Sequence, residues 1–161
     1  MTPTLQAAAL LLCLLGAGAA MAQGSYRSGP DEKGVSDAVV SDTKSGLIWR
    51  RCSEGQSWHD GRCSGNASLM TYAQALSHTR TQTGWRIPNV KELSSLVDST
   101  RSSPSIDTDA FPNTPGERHS YYWSSTPYQN NSMSAWFVGF GNGYVGGFFT
   151  NTSSYHLRLV R

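Results

Sequence analysis

Charge of either sign is scarce in this chain. Thirteen Lys and Arg stand against eleven Asp and Glu in 161 residues, a net of +2, and charged residues make up 15% of the whole. Typical globular chains carry about 25%. A polycation that holds nucleic acid by its overall field is thereby excluded, and attraction to an acidic ligand has to come from local clustering. Cysteine is scarce too, with three residues, and no pair has C-x-x-C or zinc-finger spacing. The four histidines, His59, His78, His119 and His156, are scattered, without H-x-x-x-H spacing. Ser124 and Ser125 have no nucleophile-elbow context. Asp107-Thr108-Asp109 lacks the rest of a Ca²⁺ loop. No internal repeat and no Gly-X-Y run is present. These absences leave no cofactor or metal site in view, and nothing in the sequence demands an enzyme.

Long apolar runs are also missing, with one exception at the start. Ala7 to Ala20 is almost wholly apolar, and Ala20-Met21-Ala22 supplies an A-x-A-like cleavage pattern. The run is shorter than the roughly 20 residues that span a bilayer. It reads as a signal peptide over 1–22. No transmembrane segment is expected after its removal, and the protein is expected in the periplasm, outside the cell or on the cell surface of a bacterium. Cleavage removes Cys13 and leaves Cys52 and Cys63, an even pair that reads as a disulfide in an exported protein. Three sequons begin at Asn66, Asn130 and Asn151 and carry little meaning in a bacterial protein.

Residues 23–34 are polar and contain Gly, Ser and Pro, and are expected to form a flexible lead ahead of one domain over 35–161. Val35 to Trp49 reads as strand, turn, strand, with Ser41 to Gly46 at the turn. A first helix is expected over Ser68 to Thr79, with Leu69, Tyr72, Ala73 and Leu76 on its apolar face. Asn89 is expected to cap a second helix, with Glu92 as capping-box partner, Leu93, Leu96 and Val97 on the buried side and an end near Ser99. Thr100 to Ser120 carries three prolines and is expected to be irregular. Strands follow at Tyr121–Ser125, Ser134–Phe140, Tyr144–Thr150 and His156–Val160, with a hairpin turn at Gly141-Asn142-Gly143.

Several pieces then line up in a recognisable order: Ser45-Gly46-Leu47-Ile48-Trp49, Arg51-Cys52-Ser53, Ala73-Gln74-Ala75-Leu76, Gly84-Trp85-Arg86-Ile87-Pro88-Asn89-Val90-Lys91-Glu92-Leu93, Ile106-Asp107, Phe111-Pro112, Tyr122-Trp123-Ser124-Ser125-Thr126, Ala135-Trp136 with Val138, and Leu157-Arg158-Leu159-Val160-Arg161. In this order the chain resembles the Lcl C-terminal domain family, named for the C-terminal domain of the Legionella collagen-like adhesin. The resemblance covers roughly Val39 to Arg161. It implies an α+β, distantly C-type-lectin-like fold, with two helices packed on small twisted antiparallel sheets. It also implies an exported adhesin-type module that recognises sulfated or acidic polysaccharide. The alternative is an envelope module that binds another protein and no glycan. The chain departs from the namesake in having no collagen-like region. It also lacks the Glu-Pro-Asn and Trp-Asn-Asp motifs of Ca²⁺-dependent lectins.

Trp49, Trp85, Trp123 and Trp136 sit among apolar neighbours and are expected in the core. Trp58 has none and is the candidate for an exposed aromatic. Arg51 and Arg62 each precede a cysteine of the pair, so a bridge would hold their backbones near one another. With Arg50 and Trp58 they form the candidate ligand site, two guanidinium forks gripping a sulfate or carboxylate. Glu54 and Asp60 oppose this, and a solvated loop with internal ion pairs is the competing reading. Arg86 is expected to pair with Glu92 or Asp98. Arg158, alternating with Leu157 and Leu159, is expected to face away from the core.

Overall fold

The computed structural model describes residues 25–31, 34, 37–129, 131–148 and 153–161. The expected signal segment, with Cys13, and residues Asn130 and Asn151 lie outside them. The described residues form an α+β domain with three small antiparallel sheets, two short helices and one disulfide.

The first sheet joins β1 (Tyr26–Gly29), β2 (Val39–Asp42) and β3 (Ile48–Arg50) in that order. Four residues of the expected flexible lead are therefore a strand: β1 pairs with β2 in the register Tyr26↔Asp42 to Gly29↔Val39. Tyr26 also packs edge-on against Phe111, with centroids 5.1 Å apart. That contact, absent from any local pattern, anchors the segment. The β2–β3 turn closes as expected. The Asp42 carboxylate accepts from Lys44 N at 2.9 Å and from Ser45 Oγ at 2.6 Å, and Gly46 takes a φ of +74° that a side chain would resist.

The second sheet is the hairpin β4 (Ser57–His59) and β5 (Arg62–Ser64). Cys52–Cys63 ties it to the end of β3, with the Cα atoms 5.3 Å apart. Helix α1 (Tyr72–Arg80) starts later than expected, behind a Thr71 cap with Gln74 completing a capping box. Leu69 precedes the helix and is 61% exposed, Ala73 is exposed, and the buried line is Tyr72 and Ala75. Helix α2 (Val90–Ser94) begins with the expected Asn89–Glu92 capping box and stops short of Ser99. Leu93 and Leu96 are buried, and Val97 is half-buried.

The stretch from Thr100 to Ser120 is irregular, as its prolines require, yet it places Ile106, Ala110 and Phe111 in the core. The third sheet is β6 (Tyr121–Tyr128), β7 (Asn131–Gly139) and β8 (Tyr144–Phe148). Both outer strands run antiparallel to β7. Trp49, Trp85 and Trp123 are buried. Trp136 is only half-buried, its ring edge-on to Tyr128 at 5.4 Å.

The C-terminal segment joins these parts. His156 bridges Tyr122 of β6, and Val160 bridges both Trp49 of β3 and Arg86. Ile48 and Arg161 exchange both backbone hydrogen bonds at 2.9 Å. Arg86 N and Val160 N donate to each other's carbonyls at 2.9 and 3.0 Å. Leu157, Leu159 and Val160 are fully buried in the two clusters the segment separates.

Candidate functional site

The disulfide holds Arg51 and Arg62 on neighbouring segments, but their guanidinium groups do not converge. Arg51 Nε donates to Ala110 O at 2.9 Å, Nη1 to Asp37 O at 3.2 Å and Nη2 to Asp109 O. Its guanidinium carbon lies 4.1 Å from the centre of the Trp58 ring, a cation–π contact that keeps Trp58 half-buried. Desolvation by this packing pushes the Arg51 pKa down. Arg50 points elsewhere, to Glu54 Oε1 at 3.0 Å, and Glu54 also meets His78 Nε2 at 2.6 Å. Arg62 is exposed on β5. At the adjoining turn His59 and Asp60 pair at 2.9 Å. Arg50 and Trp58 border one cleft of about 250 Å³, whereas Arg51 borders another beside Asp107 and Asp109. Of the expected four, Arg51 and Trp58 are stacked together, and three hydrogen bonds of the Arg51 guanidinium go to backbone carbonyls.

A different arginine sits at the centre of the loop's structure. Arg158 is fully buried, against the expectation that it faces outward. Its Nη1 donates to Arg50 O at 2.9 Å and to Arg51 O, and its Nη2 to Thr114 Oγ1 at 2.8 Å and Ser53 Oγ at 3.3 Å. The guanidinium lies 4.8 Å from the centre of the Phe111 ring. Ser53 Oγ also bonds Tyr122 Oη at 2.6 Å. Burial pushes the Arg158 pKa down and the Tyr122 pKa up. Alternation fails here because the terminal segment is flanked on both sides, so neither face of it meets water. The fork clamps the end of β3, the start of the disulfide loop and Thr114 to the C-terminal segment.

Guanidinium groups instead gather around Trp85. Arg50 and Arg161 each lie over its ring, 4.8 and 4.7 Å from the centroid. The same ring borders a shallow groove of about 580 Å³ whose walls are Leu76, Thr79 and Arg80 of α1, Arg86 and Ile87 of the bridging step, Asn89 and Glu92 of the α2 cap and first turn, and Ser125 of β6. The local chain makes this shape. Leu76 and Arg80 lie one turn apart on α1. The Arg86–Val160 bridge extends Trp85 to Ile87, and Trp85 and Ile87 turn inward while Arg86 turns out. Asn89 then caps α2, its side chain accepting from Glu92 N. Leu76 is 37% exposed and forms part of an apolar floor.

Arg86 makes the one ion pair here that the sequence announced. Its Nη1 and Nη2 meet Glu92 Oε2 and Oε1, each at 2.7 Å, a bidentate fork. The hydrogen bond from Arg86 is the main cause that lowers the Glu92 pKa, and the bond to Glu92 is the main cause that raises that of Arg86. The Arg86 side chain is 48% exposed and that of Glu92 19%. The groove as a site escapes sequence reasoning, because Leu76 reads as one apolar position of a helix and Trp85 as core. The i,i+4 pair Leu76 and Arg80, facing the Trp-Arg-Ile step, is the signal that could have found it.

Among the described residues no group of three or more His, Cys, Asp or Glu is placed to hold a metal ion. Among the same residues no helix is long and apolar enough to cross a membrane. No curated protein and no solved structure matches the chain. A family model does, over residues 38–161, which span everything from β2 to the last residue. By that match the chain belongs to the Lcl C-terminal domain family.

Proposed function

We propose that this protein is an exported, non-catalytic, adhesin-type binding module whose ligand is an acidic polysaccharide, held in the groove beside Trp85. The observation that carries this reading is that Arg80 and Arg86 line one groove with an apolar floor, Glu92 being the carboxylate paired into it, while Arg50 and Arg161 lie over the Trp85 ring that borders the same groove. A sugar ring offers an apolar face to the exposed Leu76, and its sulfate or carboxylate offers a partner to a guanidinium. Membership of a family named for an adhesin domain associated with sulfated glycosaminoglycans supports the ligand class. The two helices beside small antiparallel sheets, with the C-terminal segment returning against β3, support a C-type-lectin-like reading of the fold. The apolar leader at 1–22 and the disulfide support export to the periplasm or the cell surface.

The test is binding of heparin to the mature chain at low and high ionic strength. Affinity is expected to fall steeply with salt, because screening weakens contacts between exposed charges. The variant Arg80→Ala is expected to weaken binding further at low salt. Affinity that stays the same at both salt concentrations would refute the mechanism.

A second reading, a protein-binding envelope module, rests on Tyr144 and Val145. They are 53% and 38% exposed on β8, one of the two outer strands of its sheet. Under this reading, replacing both by Ser abolishes capture of an envelope protein and leaves heparin binding untouched.

A further inference from the structure

Glu92 is placed where an acidic ligand would have to go. Its two carboxylate oxygens fill both terminal nitrogens of the Arg86 fork. Half of the Arg86 side chain nevertheless remains open to solvent, at the wall of the groove. Glu92 itself is not held only by Arg86. Its Oε2 also accepts the Asn89 backbone N–H at 2.8 Å, so the carboxylate has a second role in capping α2. A group with two partners can release one and keep the other.

We propose that Glu92 is a built-in competitor, an internal carboxylate that masks Arg86 and is displaced from it by the acidic group of a bound polysaccharide. The inference rests on the polysaccharide reading of the groove and assigns the regulation of that site. The exchange leaves Glu92 on its cap while the ligand's carboxylate or sulfate takes the fork. The ligand gains what a guanidinium offers to any planar or tetrahedral oxyanion, minus what Glu92 gives up. Since Arg86 and Glu92 form a partly exposed pair, that loss is small. Arg80, across the groove on α1, is positioned to meet a neighbouring acidic group on the same polymer. The mask lowers affinity for any lone anion and favours ligands that bring an apolar sugar face to the exposed Leu76 together with their charge.

The experiment compares the mature chain with Glu92→Gln. Glutamine keeps the capping-box oxygen at the third helical position and removes the charge that locks Arg86. Two probes separate the anion sources: polygalacturonate oligomers, which carry only carboxylates, and dextran sulfate, which carries only sulfates. Glu92→Gln is expected to bind at least one of them about two- to fivefold more tightly, the equilibrium factor of an exposed ion pair, and to lower the thermal unfolding midpoint by no more than about 4 °C. The polymer that gains identifies the displacing group. Removing a negative charge anywhere also favours polyanions, so Asp60→Asn, at the β4–β5 turn, serves as the charge-matched control and is expected to gain less. In an Arg86→Gln background the added Glu92→Gln is expected to gain no more than Asp60→Asn does.

A gain beyond that of Asp60→Asn that persists without Arg86, or a gain in the Arg86 background that Asp60→Asn equals, overturns the mask. So does wild-type binding that Glu92→Gln leaves unchanged, and in that case the polysaccharide reading survives. If neither protein binds either polymer, both readings fall.

Discussion

Replacing Arg158 by Lys keeps the charge and removes the fork. Arg158 reaches four acceptors on two separate segments: the carbonyls of Arg50 and Arg51 with Ser53 Oγ on one, and Thr114 Oγ1 on the other. A compact ammonium has three donors at one point and cannot span that set. Hydrogen bonds to charged groups contribute about 1.5–3 kcal/mol each. Losing two of the four costs about 3–6 kcal/mol, a large part of the roughly 5–15 kcal/mol that a domain possesses. The variant also leaves a poorly solvated cation in the core, and a desolvated ammonium responds by losing its proton at lower pH. The sign of the pH dependence follows. The folded pKa of the introduced amine lies below its unfolded value, so between the two the unfolded chain binds more protons. Stability of Arg158→Lys therefore rises with pH through that window, up to about 10.4. Urea unfolding followed by tryptophan fluorescence, at pH 7 and pH 9.5, measures both effects. The deficit relative to wild type is expected to be about 3 kcal/mol or more at pH 7 and smaller at pH 9.5. A variant within about 1 kcal/mol of wild type at pH 7, the scale of an exposed ion pair, would show that the buried clamp does not hold the loop.

Three further outcomes are expected. Gly55 has φ +92°, and a Cβ there would lie 2.7 Å from Ser68 N and 2.9 Å from Asn66 O, so Gly55→Ala should cost about 2–4 kcal/mol in denaturant unfolding; a loss under about 1 kcal/mol would mean the backbone can yield. Asn89→Ala removes the oxygen that accepts Glu92 N at 2.9 Å and should cost about 1 kcal/mol, read as a lower urea midpoint with an unchanged slope. The His156 pKa is pushed down, first by desolvation. The unfolded chain then binds the proton more readily, so stability is lost as pH falls below about 6.5. His156→Gln should flatten the thermal midpoint between pH 7 and pH 5, and an unaltered slope would refute the assignment.

The parts of this structure that are legible in the sequence are those that depend on neighbours a few residues away. Asn89 and Glu92 are three apart, so the cap needs only the helix itself. Trp85, Arg86 and Ile87 alternate, and the outward Arg86 meets Glu92 six residues on. The β2–β3 turn is closed by Asp42 within its own four residues. The first helix lies where its period places it but buries a different face, because Leu69 precedes the Thr71 cap and never joins the helical period. The candidate ligand site around the disulfide follows from chain proximity alone. Proximity of backbones says nothing of where a long side chain finds its acceptors, and Arg51 finds them at residues 37, 109 and 110.

Residue order alone determined the family, the α+β character, the cysteine pair and that Arg86 would pair with Glu92 or Asp98, since each follows from short-range pattern or from motif order; the structure chose Glu92 and gave Asp98 to Arg101. Tertiary structure decided which arginines are available. Arg158 went inside because its acceptors come from segments 44 and more than 100 residues away, and Arg80 came to share a groove with Arg86 because α1 folds back against the bridging step. A guanidinium is long and satisfied equally by water, carbonyl or carboxylate. Its destination is set by which segments pack around it, and that packing is a property of the whole chain.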